Sequence, residues 1–207
     1  MSRLVLRFAV LILPLLFILS VLVSLVRTPP EDSGAGAIGF AACKLPCWAG
    51  ITPGLTPFAE ANELLGQHLP EYQIPTFLTT STLTFQTIAA EPMISGSLFY
   101  DGTRVGEIHL DVRLPASYLL DRLGTPDCVW VVRGSVPLIV RVYWERNGLS
   151  TGAYFIFDRD AGWQRDMLTH YLQMSTTLSC DIPGILPWRG FARAWRYEEM
   201  ASREAVP

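Results

Sequence analysis

The residues best equipped for chemistry in this chain are four cysteines and one short alternating run of ionisable groups. Cys43, Cys47, Cys128 and Cys180 admit three disulfide pairings. Lys44-Leu45-Pro46 separates the first two, and proline drives the residue before it towards extended backbone. A fully extended stretch would hold those two Cα atoms ~13 Å apart, where a bridge needs roughly 4.4–6.8 Å. A turn would rescue the local pair, but extended geometry favours long-range bridges to Cys128 and Cys180. A redox dithiol would want two intervening residues and a following helix to lower a thiol pKa; here three intervene and no following helix is evident. His68, His109 and His170 show no zinc-ligand spacing with the cysteines. The four cysteines therefore read as structural disulfides, with no metal and no cofactor expected.

Glu107, His109 and Asp111 alternate with Ile108, Leu110 and Val112. On a strand all three polar groups share one face, an arrangement open to acid–base work. No Ser or Cys nucleophile pattern accompanies them, so the run reads as the wet face of a half-buried antiparallel strand. Asp158-Arg159-Asp160-Ala161-Gly162 opens like a calcium loop, but the third oxygen ligand and the closing Glu are missing, so it reads as a turn. Gly-rich phosphate loops, zinc-protease helix motifs and Gly-x-Ser-x-Gly elbows are absent from the sequence. No catalytic residue is assigned.

The elements that would position these groups are legible from turn chemistry and periodicity. Thr56 is a good N-cap and Pro57 suits a first helical position. Phe58, Ala61, Leu64 and Leu65 give one apolar face, and Gly66 is expected to close the helix. Leu114-Pro115 through Leu123-Gly124 repeats the plan 58 residues on, although Leu114 is a poor N-cap. Asp101-Gly102 and Asn147-Gly148 each lie between strand-like runs and mark hairpins. Further strands are expected over 82–88 and 128–132, and another helix over 163–174. The fold class expected is α+β: an N-terminal transmembrane helix, then tandem helix-plus-antiparallel-sheet repeats over about 50–113 and 114–160.

That transmembrane helix rests on residues 8–26, which are uncharged and mostly large and apolar. As a helix they would extend roughly 28 Å, close to the hydrocarbon thickness. Arg3 and Arg7 precede the run, while Arg27 is followed by Glu31 and Asp32, which favours a cytoplasmic N-terminus. A cleaved signal would be shorter and have small residues close behind, whereas Arg27-Thr28-Pro29-Pro30 follows here. The expectation is a single-pass membrane protein, with 1–27 as stub and anchor and 28–42 as linker. Residues 43–187 would form an extracytoplasmic domain, and 188–207 a C-terminal strap or tail. Setting aside Arg3, Arg7 and Arg27 leaves 13 basic residues against 19 acidic ones, with a single lysine, Lys44. Such a surface argues against nucleic acid as a partner.

Gly54-Leu55-Thr56, Ala61 and Leu64-Leu65-Gly66, followed by a hairpin, resemble two related kinds of exported module. One is the small lipoprotein of the outer-membrane β-barrel assembly machinery; the other is the β-lactamase-inhibitor protein, a tandem of helix-plus-sheet repeats. The resemblance implies work by protein–protein contact and not by catalysis. The block from Pro46-Cys47-Trp48 to Gly54-Leu55-Thr56 also looks like one in membrane-anchored bacterial proteins that carry no assigned activity. Beside the membrane itself, the partner implied is an envelope protein. The function expected is thus a non-catalytic protein-binding or envelope-assembly module, with Trp48, Trp188 and Trp195 as candidate contacts. The alternative is an envelope hydrolase or thiol-redox enzyme.

Overall fold

The computed structural model describes residues 39–69, 72–73, 81–87, 94–132, 137–158, 163–191, 196–197 and 199, together with 12–14, 18 and 20. The chain divides into a unit Met1–Ser33 and a unit Gly34–Pro207. In the first, the described residues Ile12, Leu13, Pro14, Ile18 and Ser20 are helical and exposed. The rest of the 8–26 run lies outside the described residues. Among the described residues no helix is long and apolar enough to cross a membrane. A span needs about 20 helical apolar residues. That finding overturns the expected single N-terminal membrane span, on which the expected localisation rested.

The second unit is built on one antiparallel sheet. Its strands are β1 (Tyr72–Gln73), β2 (Thr82–Thr87), β3 (Ser95–Asp101), β4 (Arg104–Asp111), β5 (Cys128–Val132), β6 (Leu138–Arg146), β7 (Leu149–Phe157), β8 (Tyr171–Ser175) and β9 (Leu186–Pro187). Their spatial order is β1-β2-β3-β4-β8-β7-β6-β5-β9. Two short helices accompany it, α1 (Phe58–His68) and α2 (Ala116–Leu123). This corrects the expected α+β class of transmembrane helix and tandem helix-plus-sheet repeats. The physical reason is β8, which pairs with β4 on one side and β7 on the other and makes a single continuous sheet. The segment 163–174 had a helical reading; instead Leu172 and Met174 point into the core while Tyr171 and Gln173 alternate outward, the period of a strand.

Both expected hairpins form, but the first turns one residue later than expected, at Gly102 and Thr103, with Asp101 ending β3 and pairing with Arg104. In the β6–β7 turn Asn147 and Gly148 have φ of 55° and 75°, the pair of left-handed residues that a two-residue turn matched to strand twist requires. Arg146 therefore pairs with Leu149, and the register runs without interruption to Leu138 opposite Phe157.

The helices end differently from expectation. Gly66 does not close α1, which runs on to His68 and buries Phe58, Ala61 and Leu65; Leu69 beyond it is also buried. Thr56 does not cap it either, because its Oγ1 accepts from the Thr52 N–H at 2.9 Å. The first backbone N–H of α1 donates instead to Thr103 O at 3.0 Å. At α2, where Leu114 offers no cap, Ala116 and Ser117 N–H donate to Met167 O and Arg165 O, both at 2.8 Å. Main-chain carbonyls thus satisfy the orphan donors of a helix start. Gly124 closes α2 with φ 76°, and Arg146 Nη2 donates to Leu123 O and Thr125 O at 2.9 and 3.0 Å.

One hydrophobic cluster joins the apolar faces of α1 and α2 to the inward residues of the sheet, among them Phe85, Ile108, Val140, Phe155 and Met174. Each such fully buried side chain stabilises by roughly 1.5–3 kcal/mol. Phe40, from the stretch read as a linker, belongs to this cluster and packs edge-on to Trp48 and Tyr118.

The cysteines form two bridges, Cys43–Cys47 and Cys128–Cys180. The expected long-range pairing of the first motif is corrected. The chain turns at Lys44, whose carbonyl accepts from Cys47 N–H at 3.1 Å, and this brings the two Cα atoms to 5.7 Å.

Candidate functional site

The sheet has a second face, and strand parity decides what stands on it. Along β5–β8 the residues between the core positions are Trp130, Arg141, Tyr154 and Tyr171. Register puts them in one row, with Trp130 opposite Arg141, Arg141 opposite Tyr154 and Tyr154 opposite Tyr171. All four are partly exposed. Neighbouring strands lie about 4.8 Å apart, so these side chains touch. The Arg141 guanidinium carbon sits 3.6 Å from the Tyr154 ring centroid, 5.5 Å from Trp130 and 5.8 Å from Tyr143. Tyr154 and Tyr171 meet edge-on at 5.2 Å. Tyr171 continues to His109 at 4.9 Å, and His109 to Phe99 at 4.5 Å. A chain of ring contacts therefore crosses the sheet from β5 to β3.

Beside that row lies a second, in which Tyr143, Gly152, Gln173 and His109 are successive cross-strand partners. A Cβ on Gly152 would lie 3.1 Å from the Tyr143 ring, so glycine is what lets that ring lie across β7. Arg141 Nη1 donates to Tyr143 Oη at 3.1 Å. Burial pushes the Tyr143 hydroxyl pKa up, against the opposing charge and hydrogen bond of Arg141.

Glu107, His109 and Asp111 share the face, as their alternation predicts, but they do not act together. His109 Nε2 lies 2.6 Å from Glu107 Oε1. Gln173 Nε2 donates to the same carboxylate oxygen. Burial raises the Glu107 carboxyl pKa, but His109, Gln173 and the charge of Arg141 outweigh it and hold the group below the usual carboxylate range. Asp111 stands apart and accepts from Ser95 Oγ at 3.0 Å. Among the described residues no group of three ligating side chains could hold a metal ion.

One end of this face is covered. Thr177 N–H donates to Ser175 Oγ at 3.0 Å and Cys180 N–H to Glu145 Oε1 at 2.5 Å, while Cys180 is bridged to Cys128 on β5. The loop after β8 is thereby held over Ser150 and Ser175, both buried.

The tryptophans named from sequence lie elsewhere. Trp48 is 0% exposed, stacked on Phe85 at 5.1 Å inside the core, and cannot touch a partner. Trp188 is half-buried in a cluster with Trp163, Phe191 and Tyr197. There, beside α2, Leu120, Pro126, Trp188 and Phe191 line an open groove of about 280 Å³. Trp195 lies outside the described residues. Sequence reasoning missed Trp130, Arg141, Tyr154 and Tyr171. The parity of β6 and β7, with register fixed by Asn147-Gly148, was the signal that could have paired Arg141 with Tyr154.

No protein-family model, no curated protein and no solved structure matches this chain.

Proposed function

We propose that this protein is a non-catalytic protein-binding module whose partner docks on the outward face of the sheet, beyond its covered end. The observation that carries the reading is the row Trp130, Arg141, Tyr154 and Tyr171, held in register across four strands. An uncovered antiparallel face is ordinarily polar. Trp, Tyr and Arg are the residue types that dominate binding energy at protein interfaces, and here they stand side by side on a rigid element. An acid–base role for Glu107 and His109 has less support. A carboxyl held below its usual range is poorly matched to proton transfer near neutral pH.

Photo-crosslinking in the native cell tests the reading. A benzophenone side chain replaces Tyr154 or Tyr171, and in a control it replaces the exposed Glu63 of α1. Discrete protein adducts from the two sheet positions and none from the control are expected. Equal labelling at all three, or none at the sheet positions, would remove this face as the docking surface.

A further inference from the structure

We infer that Arg141 is the recognition centre of this face and takes a carboxylate from the partner, an Asp or Glu side chain; the inference rests on the protein-binding reading above. A guanidinium carries five N–H donors in a planar fork. That of Arg141 is fixed in place, stacked 3.6 Å over Tyr154 and hydrogen-bonded through Nη1 to Tyr143 Oη. Its Nε is buried with no hydrogen-bond partner. Among the described residues no carboxylate is ion-paired with it: Glu107 lies beside His109, Asp127 pairs with Arg146 and Asp121 with Arg165. Glu107, whose charge Arg141 feels, has its Oε1 already engaged by His109 and Gln173.

A partly buried cation with one neutral hydrogen-bond partner is incompletely satisfied. With Nε buried and one N–H of Nη1 given to Tyr143, the part of the fork left for a ligand is Nη2 with the second N–H of Nη1, an edge whose geometry matches a carboxylate held by two parallel N–H···O bonds. Because the stack has already fixed the side chain, little rotamer freedom is lost on binding. Trp130 and Tyr171 flank Arg141 and Tyr154 in the same row, and rings in that position exclude water and favour apolar or aromatic neighbours of the acidic residue. The occupant is therefore a protein segment with one acidic side chain between aromatic or aliphatic ones.

The test uses the full chain, labelled with ¹⁵N, and two capped peptides, Gly-Tyr-Asp-Tyr-Gly and its Asn counterpart. NMR follows the Arg141 Nε–H and Trp130 indole N–H signals. The Asp peptide is expected to shift both signals and to bind about tenfold more tightly than the Asn peptide, an advantage that falls steeply with added salt. In Arg141→Met the advantage disappears, and Arg141→Lys keeps part of it. The Asp-against-Asn comparison in the unaltered chain requires no variant to fold. Equal binding of the two peptides on this face overturns the carboxylate assignment and leaves the protein-binding reading standing. No shift from either peptide overturns it too, while the crosslinking result independently decides the wider reading. Inorganic phosphate that competes the Asp peptide away at matched ionic strength would assign the fork to phosphoryl groups, which also overturns the proposal.

Discussion

Phe155 and Tyr154 are neighbours on β7 and inhabit different environments. Phe155 is 1% exposed and packs edge-on against Trp163 at 5.1 Å, within the hydrophobic cluster. Tyr154 points to the opposite face, partly exposed beneath the guanidinium of Arg141. The inward face is filled by Val, Leu, Ile and Phe, where volume and apolarity decide the choice. On the outward face polar side chains would hold a strand equally well, yet aromatic rings and an arginine occupy the central row. Cross-strand pairs of that kind contribute only about 0.2–1 kcal/mol each. Stability explains the composition of the first face and accounts for less of the second.

The sharpest way to break this contrast is to truncate both neighbours. Phe155→Ala should cost about 3–5 kcal/mol through lost burial and a residual cavity. Tyr154→Ala should cost under about 1 kcal/mol. Urea unfolding midpoints measure both, and comparable losses would mean that the outward row is structural. Next in size come the bridges. Replacing Cys128 and Cys180 together by Ala opens a link across 52 residues and should cost about 4 kcal/mol in the chain-entropy model. The same change at Cys43 and Cys47, four residues apart, should cost ~2 kcal/mol. Amide exchange should rise at Thr177 and Cys180 only in the first case, because that bridge holds the loop over the covered end of the outward face.

A smaller loss, about 1 kcal/mol, is expected for Arg146→Met, which removes charge-assisted hydrogen bonds to the last carbonyl of α2 and to Thr125 O beyond it, and a half-exposed pair with Asp127. Thermal unfolding is the readout. The smallest effect is on the acid side. Glu107 has a folded-state pKa below its ordinary 4.5, so its contribution is present above that value and is lost as pH falls through the folded pKa. Denaturant midpoints at pH 7 and pH 3 should therefore drop further in the native chain than in Glu107→Gln. Identical drops would show that the contacts of Glu107 with His109 and Gln173 contribute nothing to folding.

Strand parity and turn chemistry made much of the second unit readable. The strands over 82–88 and 128–132 lie within a residue of expectation, and both hairpins turn within a residue of it, because Gly102 and the Asn147-Gly148 pair take left-handed backbone that few other residues accept. Both helices were legible from their apolar spacing. Their ends were not: the groups that satisfy α2 at its start are carbonyls of Arg165 and Met167, more than 40 residues away in sequence. Trp48 was misplaced as a contact because an isolated tryptophan beside cysteines carries no sign of whether a core will close over it.

By itself the sequence determined the β6–β7 hairpin and with it the pairing of Arg141 with Tyr154, since a two-residue turn leaves no freedom in register. It also determined that the helices are amphipathic and that four cysteines were present to be bridged. Only the tertiary structure decided that Tyr171–Ser175 is a strand, inserted between β4 and β7. Five residues carry too weak a local preference to choose, and it is the fit of Leu172 and Met174 into the core that settles the matter. The same insertion sets Tyr171 beside Tyr154 and His109 and brings Gln173 to Glu107. It likewise took a folded chain to bring Cys128 and Cys180 within 5.8 Å, because pairing depends on distances that no local pattern encodes.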